Sequence, residues 1–201
     1  MRVIALTGGI ASGKSTISSR LSQLGASVVD ADLLSREAVD AGSPGLAAIA
    51  ERFGSDVIAA DGSLDRAALG SIVFADEAAR NDLNAIVHPE VRRLAAERLA
   101  TIARNDPDAI AVYDVPLLVE TGVDHDFDLV VVADADAEIR TQRLISLRNL
   151  DPVEARRRVV AQASDEERRR IADVLIDTTG SLEETEAQVD SLWADLVAGR
   201  R

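Results

Sequence analysis

Gly8-Gly9-Ile10-Ala11-Ser12-Gly13-Lys14-Ser15-Thr16 follows the apolar run Val3-Ile4-Ala5-Leu6, and its reading decides the fold. Gly-x-x-x-x-Gly-Lys-Ser between a buried strand and a helix is the P-loop pattern. Gly8 and Gly13 permit backbone geometries that a side chain blocks. The amides of the loop, over Gly9, Ala11, Ser12, Gly13, Lys14, Ser15 and Thr16, are then expected to face phosphate oxygens, aided by the helix N-terminus. Lys14 reaches the outer phosphates, and the Ser15 hydroxyl takes a magnesium ion. Lys14 is the only lysine beside 21 arginines. A compact ammonium suits a phosphate cradle in which a planar guanidinium is too bulky.

Working outward, short apolar runs alternate with helical patterns. Lys14–Leu24 predicts a helix stopped by Gly25, and Ser27–Val29 a second strand leading to Asp30-Ala31-Asp32. Ala109–Tyr113, Leu129–Ala133 and Val174–Ile176 predict three more strands, and Leu182–Val197 a closing helix. This alternation predicts an α/β fold: a parallel five-stranded sheet covered by helices on both faces, in three layers. Two stretches break the rhythm. Residues from about 33 to 108 carry only helical patterns, and so do residues from about 137 to 172, which are thick with arginine. Ligands of such sheets lie at the carboxyl ends of the strands. The first stretch is therefore expected to cap an acceptor and the second to form a lid. The core then comprises residues 1–32, 109–136 and 173–201 of a single domain.

Composition excludes several classes. A net charge of −13 argues against nucleic acid and anionic membranes as partners. With no cysteine there is no disulfide, thiolate metal site or cysteine nucleophile, which fits a cytoplasmic protein. Met1-Arg2-Val3-Ile4-Ala5-Leu6 is too short an apolar run for a signal peptide, and no stretch approaches the roughly 20 apolar residues of a membrane span. Aromatic residues are only 2%, so the core must be built from Ala, Val, Leu and Ile.

Four further groups of residues bear on chemistry. Asp30 and Asp32, two apart on a strand end, point the same way, and one can accept the proton of an attacking hydroxyl. The plainer alternative is that Asp32 caps a helix over Leu33–Val39. Asp114 ends an apolar strand, where a carboxylate holds magnesium or simply terminates the strand. Arg140 and Arg143 share a helix face and suit neutralisation of charge in phosphoryl transfer. The remaining lid arginines read as a solvated surface paired with Glu138, Glu154, Glu166 and Glu167. His88, before Pro89, reads as a structural hydrogen bonder, and His125 as a loop residue.

A guanine-reading Asn/Thr-Lys-x-Asp sequence needs a lysine outside the loop, and none exists. A GTP-dependent switch is thereby disfavoured. A small kinase fits, acting on a nucleoside monophosphate, a sugar or another hydroxyl acceptor. An ATP-binding regulatory module needs neither the Asp32 carboxylate nor the lid arginines.

The ordered set of motifs resembles the dephospho-coenzyme A kinase family over nearly the full chain. The segments that carry the resemblance are the loop itself, Asp30–Arg36, Asp61-Gly62-Ser63-Leu64-Asp65-Arg66, and Leu83-Asn84 with His88-Pro89. Asp114-Val115-Pro116-Leu117-Leu118-Val119-Glu120, Gln162 and Ala172–Asp177 complete it. The resemblance implies a P-loop fold like that of nucleoside monophosphate kinases. It also implies transfer of the γ-phosphoryl of ATP, with magnesium, to the ribose 3′-hydroxyl of dephospho-coenzyme A. Asp32 then matches the base, Lys14, Arg140 and Arg143 stabilise the transferring group, and Ser15 and Asp114 serve the metal. Asp32, Arg36, His88, Pro116, Leu117 and Leu118 match acceptor-binding positions. Three places depart from the family pattern. Ala11 replaces a third glycine, which a negative φ there would accept. Leu147 stands at an arginine position, with Arg148 next to it. Thr178 and Thr179 stand where asparagine is usual, which bears on the adenine contact.

Overall fold

The computed structural model describes residues 1–121 and 127–200. In chain order its elements are β1 (Arg2–Gly8), α1 (Lys14–Leu24), β2 (Ser27–Asp30), α2 (Ala31–Glu37), α3 (Pro44–Phe53), α4 (Arg66–Ala75) and α5 (Glu77–Asn105). There follow β3 (Ile110–Asp114), α6 (Leu118–Thr121), β4 (Leu129–Asp134), α7 (Ala137–Arg148), α8 (Pro152–Val160), α9 (Asp165–Ile171), β5 (Val174–Asp177) and α10 (Leu182–Val197). They form two compact units: residues 1–29 with 102–201, and residues 30–101. The stretch read as a lid, α7 to α9, belongs to the same unit as the sheet.

In the first unit the strands run in the order β2-β3-β1-β4-β5 and form the expected parallel sheet. β1 is central, with Leu6 opposite Asp114 on β3 and Gly8 opposite Ala133 on β4. A strand covered on both faces must be apolar at every position. Accordingly Ile4, Ala5 and Leu6 of β1 and all of β3 are buried. Ile4 and Leu6 meet Ile17 and Leu21 of α1 and Val189, Leu192 and Leu196 of α10 in one aliphatic core. Ile10 and Ala11 pack on a smaller cluster, Leu144, Ala155 and Val159, which ties the loop to α7 and α8.

The second unit has its own core, formed by Ala38, Val39, Ile49, Val57 and Leu69. It is helical except for an isolated antiparallel bridge, Ile58 to Leu64, that the sequence patterns did not predict. Local polar residues build this bridge. Asp61 accepts from the Ser63 amide at 3.0 Å, Gly62 adopts φ +82°, and Asp65 caps α4 through the amides of Ala67 and Ala68. The family-like segment Asp61–Arg66 is thus a turn followed by a helix cap.

Candidate active site

Gly13, at φ 86°, ends the loop and opens α1, and no side chain caps that helix. The Thr16 amide donates to Gly13 O at 3.0 Å, which leaves the first-turn amides of Lys14 and Ser15 for an anion. A Cβ on Gly8 would lie 2.5 Å from Ser12 Oγ and 2.9 Å from Ala133 Cβ, so the loop can fold against β4 only with glycine there. The Ser12 amide donates to Gly9 O at 3.0 Å, and Ser12 Oγ is buried with no hydrogen-bond partner among the described residues. The Ile10 amide donates to Gln162 Oε1 at 2.7 Å.

Ala11 corrects an expectation. Its φ is +60°, not negative. The left-handed conformation costs a non-glycine residue roughly 1–2 kcal/mol. Two contacts offset this: the methyl packs towards the α7–α8 cluster, and Ala11 O accepts from Arg143 Nη1 at 3.3 Å.

Lys14 Nζ is ion-paired with Asp114 Oδ1, and the Asp114 side chain is almost wholly buried. The strand-end carboxylate is thus neither idle nor a bare terminator. Ser15 is exposed in the first turn of α1. Among the described residues no three carboxylates or histidines gather as a metal cluster. A magnesium ion that keeps its waters and the nucleotide phosphates needs only one or two protein oxygens, and Ser15 with Asp114 fits that demand.

Asp30 and Asp32 do not share a strand face, because the strand ends at Asp30 and the helix begins at Ala31. Asp30 is the cap, accepting from the Asp32 amide at 2.7 Å and the Leu33 amide at 3.2 Å. The cap thus belongs to the neighbour, and the exposed Asp32 carboxylate has no hydrogen bond or ion pair among the described residues.

Arg140, 2% exposed, lies against the loop. Its Nε donates to Ala135 O at 3.1 Å and its Nη2 to Asp165 Oδ1 at 2.5 Å. Nη1 has no partner among the described residues and lies against Gly9. A buried donor left unsatisfied costs about 1–3 kcal/mol, and an anion would relieve it. Arg143 is engaged differently, donating to Thr178 O and Ala11 O. Thr178 Oγ1 in turn lies 2.5 Å from Ser12 O, so this departure from the family pattern braces the loop backbone. Asp177 next to it has its carboxyl held below the usual range by hydrogen bonds from Thr179, with help from the Arg143 charge.

Leu147 and Arg148 are both exposed, and Arg148 has no ion pair among the described residues. Arg156 pairs with Glu138, Arg157 and Arg158 with Glu154, and Arg170 with Glu166, as a solvated surface should. Glu167 instead closes a capping box with Ser164. Arg36 is exposed in the last turn of α2. His88 is half-buried in α5, where burial and then Arg92 push its pKa down. After β3, Pro116 O lies 3.4 Å from Thr7 Oγ1, Leu117 is 42% exposed, and Leu118 is buried. Of the two leucines only Leu117 therefore offers apolar surface. His125 lies outside the described residues.

Sequence reasoning missed Asp165, Arg168 and Glu120 as members of the site. Arg168, 3% exposed, donates to Glu120 Oε1 at 2.8 Å, and the Ala163 amide donates to the same oxygen. The capping pattern Ser164-x-x-Glu167 was legible, but it announces a helix and not an ion pair.

An uncapped helix behind a glycine loop, a lysine paired with a strand-end aspartate, and a buried arginine over that loop define a P-loop kinase. A family model described as dephospho-CoA kinase matches residues 2–184. The dephospho-CoA kinase of Leifsonia xyli is 60% identical over 196 residues, covering 98% of this chain and 99% of that one. That of Streptomyces avermitilis is 51% identical over 197 residues, covering 98% and 95%. A solved structure, TT1252 from Thermus thermophilus, is 33% identical with a TM-score of 0.79, covering 97% of each chain. The chain belongs to the dephospho-CoA kinase family. It phosphorylates dephospho-CoA to CoA with ATP as donor.

Proposed function

We propose the following division of labour for transfer of the γ-phosphoryl of ATP to the ribose 3′-hydroxyl. The loop amides and Lys14 hold the triphosphate, with Lys14 exchanging its Asp114 partner for phosphate oxygens. Ser15 Oγ and an Asp114 oxygen would hold magnesium, which would supply neutralisation of charge on the outer phosphates. The Asp32 carboxylate takes the proton of the 3′-hydroxyl as that oxygen bonds to the γ-phosphorus, and the bridging oxygen leaves with ADP. Arg140 neutralises the transferring group through Nη1. Arg143 acts on the loop itself, holding Ala11 and Thr178. The helical insertion, with Arg36 and His88, and the Pro116–Leu117 segment receive the acceptor. The three-part organisation of core, insertion and lid read from the sequence serves this scheme, and we assign the reaction to the cytoplasm. Among the described residues no helix is long and apolar enough to cross a membrane.

The observation that carries the scheme is the Arg140 guanidinium, buried against Gly9 with one nitrogen unpartnered beside an uncapped helix. The base is tested by Asp32→Asn. Turnover should fall by about two to four orders of magnitude while ATP affinity, measured by calorimetry, stays unchanged. Wild-type turnover in that variant would remove Asp32 from the role.

A further inference from the structure

We propose that Asp165 is a positioning residue for phosphoryl transfer, holding the Arg140 guanidinium so that its free nitrogen stays directed at the phosphate-binding loop. The proposal rests on the role given above to Arg140, and the test separates the two.

Asp165 is the first residue of α9, and both of its carboxylate oxygens are in use. Oδ1 accepts from Arg140 Nη2 at 2.5 Å, and Oδ2 accepts from the Ala137 amide at 2.9 Å. Ala137 begins the helix that carries Arg140, so one carboxylate fixes both the start of α7 and the head of its arginine. Ala135 O fixes a second nitrogen, Nε. With two of its three nitrogens held, the planar group has one orientation, and that orientation turns Nη1 to Gly9. A Cβ at Gly9 would stand only 2.8 Å from Arg140 Cζ.

Asp165 is itself supported. Arg168 Nη1 lies 3.8 Å from Oδ1 and also donates to Ala163 O at 2.5 Å, while Nη2 is paired with Glu120. Two buried guanidinium groups thus share the neighbourhood of this carboxylate. Arg168 Nε is likewise buried without a hydrogen-bond partner among the described residues, so the unpaired donor alone does not mark a ligand contact; what distinguishes Arg140 is that its free nitrogen lies against Gly9 of the loop. Leaving one donor free while clamping the rest is the arrangement of a preorganised anion contact. Among the described residues Asp165 makes no hydrogen bond to the loop; it acts on Arg140 directly and on the start of α7 through the Ala137 amide, and the double-mutant cycle below separates the two routes.

The test is a double-mutant cycle of Asp165→Asn with Arg140→Ala, read as kcat and KM by ADP release. Asp165→Asn alone should lower kcat by about 10- to 100-fold, with the KM for ATP and for dephospho-CoA changed less than about threefold. Arg140→Ala alone should lower kcat by about 100- to 1,000-fold. The double variant should match Arg140→Ala within about twofold, because Asp165 then has nothing to position. Multiplying losses in the double variant, or a wild-type kcat in Asp165→Asn, would overturn the proposal. A wild-type kcat in Arg140→Ala would instead overturn the role of Arg140. If Asp165→Asn does not fold, Asp165→Glu replaces it: the charge then sits one methylene further out. A kcat lowered at least about threefold with unchanged KM is expected, and an unchanged kcat would overturn the proposal.

Discussion

Gly9→Ala is the smallest change that tests the contact between the loop and Arg140. Gly9 does not use a positive φ, so alanine suits its backbone. The cost comes from space alone. The added methyl would meet Arg140 Nη1, Cζ at 2.8 Å and Nε at 3.2 Å. Ordinary carbon contacts lie near 3.5–4.0 Å, so one partner must retreat by roughly 1 Å. The far end of a flexible side chain would simply swing aside. Arg140 cannot do so freely, because it is buried and held by Asp165 and Ala135 O. Overpacking of this kind costs about 1–3 kcal/mol, against about 0.4–1 kcal/mol gained by removing glycine freedom from the unfolded chain. The net is a destabilisation of about 1–2 kcal/mol, or a Tm lowered by about 2–8 °C at this chain length.

Activity should suffer more than stability. A displacement of about 1 Å at a charge-neutralising group can cost on the order of 100-fold in kcat. The assay is ADP release at saturating ATP and dephospho-CoA, beside a thermal melt of the same preparation. A kcat within about twofold of wild type, with an unchanged Tm, would refute the close approach of the guanidinium to Gly9.

Two further predictions concern Lys14 and His88. Because Lys14 is the only lysine, an amine-directed reagent finds a single side-chain amine in this sequence. Saturating ATP should protect Lys14, by mass spectrometry; equal labelling of Lys14 would remove it from the nucleotide site. The His88 pKa is lowered by burial and then by Arg92, so the folded protein binds fewer protons there than the unfolded chain. Stability is then full above the unfolded value of about 6.5 and declines as pH falls from there through the lowered folded value. In urea titrations between pH 7 and 5, His88→Gln should lose less stability than wild type, and an identical loss would contradict the burial of His88.

The sheet was legible because strands buried on both faces must be continuously apolar, as Val3–Leu6 and Leu129–Ala133 are. α1 and α10 begin and end where glycine, serine and periodicity predict. The cap of α2 falls on Asp30, not on Asp32 as the plainer alternative had it, since both satisfy the composition rule and only the backbone decides between them. The sign of φ at Ala11 was likewise out of reach, because alanine disfavours the left-handed region and the contacts that offset its cost come from Arg143 and the α7–α8 cluster. Among the lid arginines, sequence marked Arg140 and Arg143 as sharing a face, yet their neighbours separate them. Arg140 keeps a nitrogen free, whereas Arg143 bonds to the carbonyls of Thr178 and Ala11.

Four of the five strands end on aspartate, at Asp30, Asp114, Asp134 and Asp177, one residue beyond each predicted strand end. The ladder accounts for the extra residue: Asp114 still pairs with Leu6, and Asp134 with Asp177. Such a row, left unpaired, is a poor edge on which to bind a polyanion, since like charges repel across a few ångströms. Each carboxylate, however, is satisfied locally. Asp30 accepts the first amides of α2, Asp114 pairs with Lys14, Asp134 with Arg169, and Asp177 accepts from Thr179. Among these four, only Asp114 is satisfied by a cation proposed above to bind the nucleotide. If ATP draws Lys14 away as proposed, the buried Asp114 loses its ammonium partner, a change that a second cation would offset. A magnesium ion, if held by Ser15 Oγ and an Asp114 oxygen, would supply that cation. On the proposed roles of Lys14 and Asp114, triphosphate and metal should bind together, and calorimetry without magnesium should show weaker ATP binding; equal affinity with and without the metal would count against them.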